Sequence, residues 1–144
     1  MLQSMDTLDL SLVAPDKIRP ISRKDYDRMV EVGILDEDEK VELLRGVIVT
    51  MSPQGWIHGE MIAWLTEKLI RSLDPSYTVR PQLPFAADDW SEPEPDLVIA
   101  KKDPMRREHP AQALLIIEVA VSSLRTDRKA KQVIYAENGV PEYW

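Results

Sequence analysis

The chain reads as one domain of the α/β or α+β class, and three features of its 144 residues predict this. Two short apolar runs, at residues 94–100 and 113–121, have the length and branched composition of buried strands. Residues 57–73 carry Ile57, Met61, Ile62, Trp64, Leu65, Leu69 and Leu73 at helical spacing, which predicts a wide buried stripe. Residues 127–138 read as a second helix, stopped by Gly139 at the C′ position and by Pro141 just beyond. Strands and helices that alternate in this way build a sheet covered by helices.

Composition bounds the function classes. At 44% hydrophobic and 30% charged, the chain is ordinary for a globular protein with a sizeable core. It contains no cysteine, which excludes disulfides and cysteine-ligated zinc and fits a reducing compartment. No uninterrupted apolar run is longer than Ala113–Ile117, which is too short to span a bilayer. Residues 1–17 hold Asp6, Asp9 and Asp16 and lack the basic start of a secretory signal. We therefore expect a cytoplasmic protein with no membrane partner. A net charge of −7 argues against whole-surface affinity for nucleic acid. The charge is uneven, however. Residues 101–131 hold eight basic and four acidic side chains, so a polyanion could be received at that segment.

In chain order, residues 1–20 show weak periodicity and read as a partly ordered arm preceding a domain of residues 21–144. Ser22-Arg23-Lys24-Asp25 resembles a capping box and predicts a short helix to about Val32, ended by Gly33, with Tyr26, Met29 and Val30 on one face. The acidic run Asp36–Glu39 lacks the spacing and glycine of a calcium loop and reads as a solvated turn. Lys40–Leu44 and Val47–Met51 predict a hairpin around Arg45-Gly46, with Glu42 in its first strand. Ser52, or a residue just after it, should cap the 57–73 helix. His58 lies in that helix's first turn and on spacing alone reads as solvated or satisfied in the core. Tyr77–Phe85, broken by Pro81 and Pro84, is an edge or bent segment, and Asp88-Asp89 marks a turn. His109 sits in the basic loop of residues 101–110 and carries no expected role. Ser122–Thr126 is a polar link. In the last helix Ala130, Val133 and Ile134 should form the core face, while Asp127, Lys131 and Tyr135 share another. Tyr143 and Trp144 are strand formers, and we expect them to begin a final strand that the chain does not complete, leaving an unpaired edge.

Glu118 stands inside the apolar run 113–121, and acidic residues are rarely buried unless paired or bound to metal. Asp96 follows Pro95 at the start of the other run, and Lys131 lies on the helix downstream. Two strand carboxylates and a lysine are the parts of a divalent-metal hydrolase. The carboxylates hold a hard cation through oxygen. The cation lowers the pKa of a water and steadies charge on a phosphoryl group. The lysine positions or activates that water. A structural ion pair between Glu118 and Lys131 is the competing expectation.

These pieces, in order and spacing, resemble one known group. The matching segments are Val41-Glu42-Leu43-Leu44-Arg45-Gly46, then Met51-Ser52-Pro53 with His58, Glu94-Pro95-Asp96-Leu97 and Ile116-Ile117-Glu118-Val119. They end with Asp127, Lys131 and Tyr135, and with Gly139-Val140-Pro141-Glu142-Tyr143-Trp144. Over residues 22–144 the chain resembles the PD-(D/E)xK nuclease superfamily, and more closely its bacterial "putative restriction endonuclease" family, once listed as a domain of unknown function. The resemblance implies a restriction-endonuclease-like fold, a central mixed β-sheet flanked by α-helices. It implies that Asp96 and Glu118, with Glu42 completing the acidic cluster, ligate Mg²⁺ or Mn²⁺. It implies catalytic roles for Asp96, Glu118 and Lys131, and supporting roles for Glu42, His58 and Tyr135.

One departure is informative. The lysine expected two residues after Glu118 is Ala120 here, and Lys131 occupies the place to which this family moves it; Lys129 is a weaker substitute. A second departure is Ala120-Val121, where the family usually has leucine and serine. The implied activity is Mg²⁺-dependent hydrolysis of DNA phosphodiester bonds, with DNA as partner and a homodimer as assembly. The alternative is a catalytically silent member that binds DNA or protein through the same fold.

Overall fold

The computed structural model describes residues 9–120 and 125–144, and for residues 10 and 125–127 the backbone alone. Of the predicted link Ser122–Thr126, residues 122–124 lie outside the described residues, as does the side chain of Asp127, while Arg125 and Thr126 already belong to the last helix. Ser22 caps the first helix, α1 (Arg23–Glu31). Its Oγ accepts from the Asp25 amide at 3.1 Å and donates to the Asp25 carboxylate at 2.7 Å. Gly33, at φ +76°, turns the chain away after it. Tyr26 faces inward, with Met29 and Val30 packed beside it, as their spacing predicts.

The hairpin forms as β1 (Val41–Leu44) and β2 (Val47–Thr50), paired antiparallel. Arg45 and Gly46 both take left-handed φ values, 48° and 80°, which gives the two-residue turn a twist matching its strands. Gly46 has a further reason to lack a side chain, because a Cβ there would run into Pro20. The next helix, α2 (Trp56–Ser72), is capped by Gly55 rather than by Ser52.

The predicted wide stripe on α2 is narrower than expected. Ile62 is buried, and Leu65, Leu69 and Leu73 pack beside it on the sheet. Ile57, Met61 and Trp64 are exposed. They follow one another at i, i+4 and i+7 and so form a second stripe on another face. A helix lying on a sheet buries only one.

Three strands form the main sheet in the order β3 (Tyr77–Pro81), β4 (Leu97–Lys101), β5 (Leu115–Ile117), all antiparallel. β3 is the edge strand that its proline requires. β5 is much shorter than the 113–121 run. Its ladder with β4 stops at Leu97↔Ile117, where Asp96 and Pro95 follow and Pro95 has no amide to donate. The chain's last residues lie along the free side of β5 in the parallel sense. Ile116 donates to the Glu142 carbonyl, Trp144 to the Ile116 carbonyl and Glu118 to the Trp144 carbonyl, at 3.0–3.1 Å. The sheet is thereby mixed.

The helix α3 (Arg125–Glu137) covers one face of that sheet. Ile134 and Tyr135 pack there with Val98, Ala100, Ile116, Leu44 and Phe85. α2 covers the other, where Leu97, Ile99, Leu115 and Ile117 meet Ile62. Alternate residues of β4 thus feed both layers, as a doubly covered strand must. The predicted core face of α3 is rotated: Val133 is 45% exposed, and Lys131 and Tyr135 point inward with Ile134. The architecture is α+β, with helices on both faces of a small mixed sheet.

Candidate active site

The two central strands deliver the two acids. The β4–β5 register carried one residue past its last pair sets Asp96 opposite Glu118. Each acid stands just outside its strand, where the ladder has ended and side chains can open onto a cavity. The Val119 amide donates to Asp96 Oδ2 at 2.7 Å, and His58 Nε2 lies 3.1 Å from Asp96 Oδ1. Glu118 Oε1 receives Lys131 Nζ at 2.7 Å and the Tyr135 hydroxyl at 2.8 Å. Lys131 Nζ also reaches Glu42 Oε2 at 3.1 Å, and that oxygen accepts from the Glu94 amide at 2.9 Å.

The fold thus brings the six candidate residues together. Glu42, His58, Asp96, Glu118 and Lys131 line one cavity of roughly 290 Å³. Tyr135 is buried against Glu118, with its ring on Tyr143 (centroids 5.6 Å) and Phe85 (6.2 Å). Lys131 and Tyr135 are one helical turn apart, which lets α3 aim both at the same oxygen. Lys129 is exposed and stands apart. Two charged lining residues were not among the candidates, Glu94 and Arg128. Glu94 had a legible signal, because in extended backbone it shares a face with Asp96 two residues on. Arg128 was signalled only as one of the eight basic side chains of residues 101–131.

Four carboxylates in a recess are electrostatically costly. Burial is the largest influence on Glu118 and pushes its carboxyl up; Asp96 adds to this, while Lys131 and the Tyr135 hydroxyl pull it back. Glu94 is raised too, first by burial, with Glu42 adding to the effect and Lys40 and Lys131 opposing it. Burial disfavours the Lys131 ammonium, but Glu118 and Glu42 outweigh it and hold the lysine charged. Tyr135 is kept firmly protonated by burial and by Glu118, so its hydroxyl keeps the proton it donates to Glu118.

In kind, this donor set fits a hard divalent cation. It supplies carboxylate oxygens on neighbouring elements, and the raised carboxyls are ones whose charge is under-compensated. In the arrangement seen here Lys131 and His58 engage those oxygens. Among the described residues no group of three or more His, Asp or Glu side chains is spaced to hold a metal ion.

The family model described as "Putative restriction endonuclease" (Uma2) matches residues 23–144. No curated protein matches the chain. Among solved structures, the chain resembles a crystal structure described as a putative nuclease belonging to DUF820 from Anabaena variabilis ATCC 29413. The two share 17% sequence identity at a TM-score of 0.59, over 81% of this chain and 67% of that one. At that identity the likeness speaks for the fold. Among the described residues no helix is long and apolar enough to cross a membrane.

Proposed function

This chain belongs to the family described as "Putative restriction endonuclease", and from that premise we propose that it hydrolyses phosphodiester bonds of DNA with the help of Mg²⁺ or Mn²⁺. The observation that carries the proposal is the convergence of Asp96, Glu118, Glu42 and Lys131 on one cavity. Asp96 and Glu118, with Glu42, are the groups that would hold the ion. When bound, such an ion activates water and offsets charge on a phosphoryl group. The chain's own side chains supply the rest. Lys131 brings a permanent positive charge to the cavity, suited to orienting the attacking water or neutralising a phosphate oxygen. Tyr135 and the Val119 amide fix the orientations of Glu118 and Asp96, and His58 braces Asp96 from α2. Of the basic residues at 101–131, Arg128 and Lys131 line the cavity and would meet a backbone phosphate there, whereas Lys101, Lys102 and Arg106 line a separate recess at the far end of β4. We propose a cytoplasmic setting and a homodimeric assembly as further parts of this reading.

A second reading is favoured by one specific observation. Lys131 already neutralises Glu42 and Glu118, as it would in a nuclease-fold protein that binds without cleaving. Incubation with plasmid and single-stranded DNA in Mg²⁺ or Mn²⁺ separates the two. The nuclease reading expects cleavage by the wild type and a loss of at least about 100-fold in Asp96→Asn and in Lys131→Met, the scale on which removal of one electrostatic stabiliser acts. DNA binding without cleavage, unaltered by these substitutions, supports the silent reading instead.

A further inference from the structure

We propose that the outward face of α2 is a self-docking surface, on which a second copy of this chain lays its own α2, antiparallel and centred on Trp64. The inference rests on the homodimeric assembly proposed for this chain and not on whether the cavity cleaves. Ile57, Met61 and Trp64 follow one another along that face, turned away from the sheet. Trp64 is 53% exposed, and Trp56 and Ile70, at 79% and 62%, carry the apolar surface around the flank of the helix. Apolar side chains scattered singly over a surface call for no explanation. Five large ones on one 17-residue helix do, because a contiguous exposed patch of this kind marks a contact site.

The charges along the stripe choose the occupant. Trp64 is the middle residue of α2, eight positions from Trp56 and eight from Ser72. Glu60 stands four residues before it and Lys68 four after, both exposed and each about one turn away. Two copies of α2 laid antiparallel about Trp64 therefore overlap along their whole length. Glu60 of each comes level with Lys68 of the other, and Arg71 lies within about a turn of it. Among the described residues neither Glu60 nor Lys68 has an ion-pair partner; Lys68 rests over the Trp64 ring, its Nζ 5.8 Å from the centroid, while Arg71 pairs with Glu67. A parallel arrangement would set Glu60 against Glu60 and Lys68 against Lys68.

A two-fold contact needs a patch that complements itself. An apolar middle with an acid on one side and a base on the other, equally far from the centre, is such a patch. A membrane surface or an unrelated protein would require no reversal of charge along the stripe. The antiparallel arrangement also opposes the two helix dipoles in the favourable sense. Tryptophan at the centre and charge at the rim is the distribution in which a buried anchor carries the affinity and the rim sets the orientation. His58, the one candidate residue of the active site on α2, is buried and lines the cavity, so the docking face contains none of them.

The test is sedimentation equilibrium of the full chain, with thermal unfolding to check that each variant folds. It compares the wild type with Trp64→Glu, Glu60→Lys, Lys68→Glu, the double variant Glu60→Lys/Lys68→Glu, and an equimolar mixture of the two single charge reversals. We expect a wild-type dimer, weakened at least about tenfold by Trp64→Glu, which puts a charge at the centre of the patch. Each single reversal sets like charges together twice, once on either side of the axis, and should weaken the dimer about fivefold. The double variant and the mixture restore opposite charges at both places and should return to the wild-type affinity. A wild type that stays monomeric at millimolar concentration overturns the proposal, and its adsorption to neutral lipid vesicles would give the stripe to a membrane instead. A dimer left unchanged by Trp64→Glu, or by Met61→Glu should the first variant not fold, also overturns it. So do single reversals that leave the dimer intact, or a mixture no stronger than its components. Metal uptake and cleavage are read separately. A wild type that dimerises through α2 but neither binds metal nor cleaves keeps the docking surface and sinks the nuclease reading; a monomer that cleaves does the reverse.

Discussion

Lys131 is an ammonium 8% exposed, held between two carboxylates on different elements. Exposed ion pairs contribute little, but removing one partner of a buried pair leaves an uncompensated charge. Lys131→Met should therefore cost about 3 kcal/mol at neutral pH by urea denaturation. The cost should shrink as pH falls and the raised Glu118 carboxyl takes up its proton. A cost within about 0.5 kcal/mol, the range of an ordinary surface change, would mean that Lys131 serves the cavity alone and not the fold. The importance of Lys131 was partly legible in the sequence, because it falls on the helix after the Glu118 run. Its inward direction was not, since periodicity favoured Ala130, Val133 and Ile134 as the core face. Apolar counting gives no weight to a lysine, yet two buried carboxylates are a stronger demand on α3 than one valine.

At the scale of elements, α1 is fastened to the rest through polar contacts as well as through Tyr26. The Arg23 amide donates to the Asp89 carbonyl at 2.7 Å, and the Tyr26 hydroxyl to the Val41 carbonyl at 3.3 Å. Beneath the helix lies Glu92, almost fully buried, with Arg23 at 4.0 Å and His109 at 3.9 Å; among the described residues its Oε2 has no hydrogen-bond partner. Burial, and then the neighbouring Asp27, raise its carboxyl to about 8. Because the folded value lies above the unfolded one, the folded protein holds the extra proton between about pH 4.5 and 8. Stability from this group is complete below that window and is lost as pH rises through it. Glu92→Gln should flatten the decline of Tm between pH 5 and 8 and leave the variant more stable than wild type at pH 8, by the order of 2 kcal/mol. Parallel Tm curves for the two proteins would show that Glu92 is ionised throughout. His109, for which the sequence offered no role, is a member of this cluster.

At the scale of the molecule, most of what builds the fold was local and therefore readable. The Ser22 cap, the Arg45-Gly46 turn, Pro81 at the end of the edge strand β3 and the Gly139 stop each act within a few residues, and each stands where the sequence placed it. What was not readable depends on partners distant in sequence. The length of β5 is set by Pro95 across the ladder, and the outward turn of Ile57, Met61 and Trp64 by the sheet offering α2 only one surface. Glu94's place beside Asp96 was readable from alternation, but the bond from its amide to Glu42, 52 positions earlier, was not. From the residues alone only Asp96, Glu118 and Lys131 stood out; Glu42, His58 and Tyr135 were added by the family resemblance, and none of the distances between them was legible. The central claim is that this set is a metal site. It is tested most directly by calorimetric titration of Mn²⁺ into the wild type and into Glu118→Gln at neutral pH. A metal site here requires binding by the wild type, weakened at least about tenfold in the variant by loss of one charged oxygen ligand. No uptake by the wild type at millimolar metal would contradict it and leave Glu118 as the structural partner of Lys131.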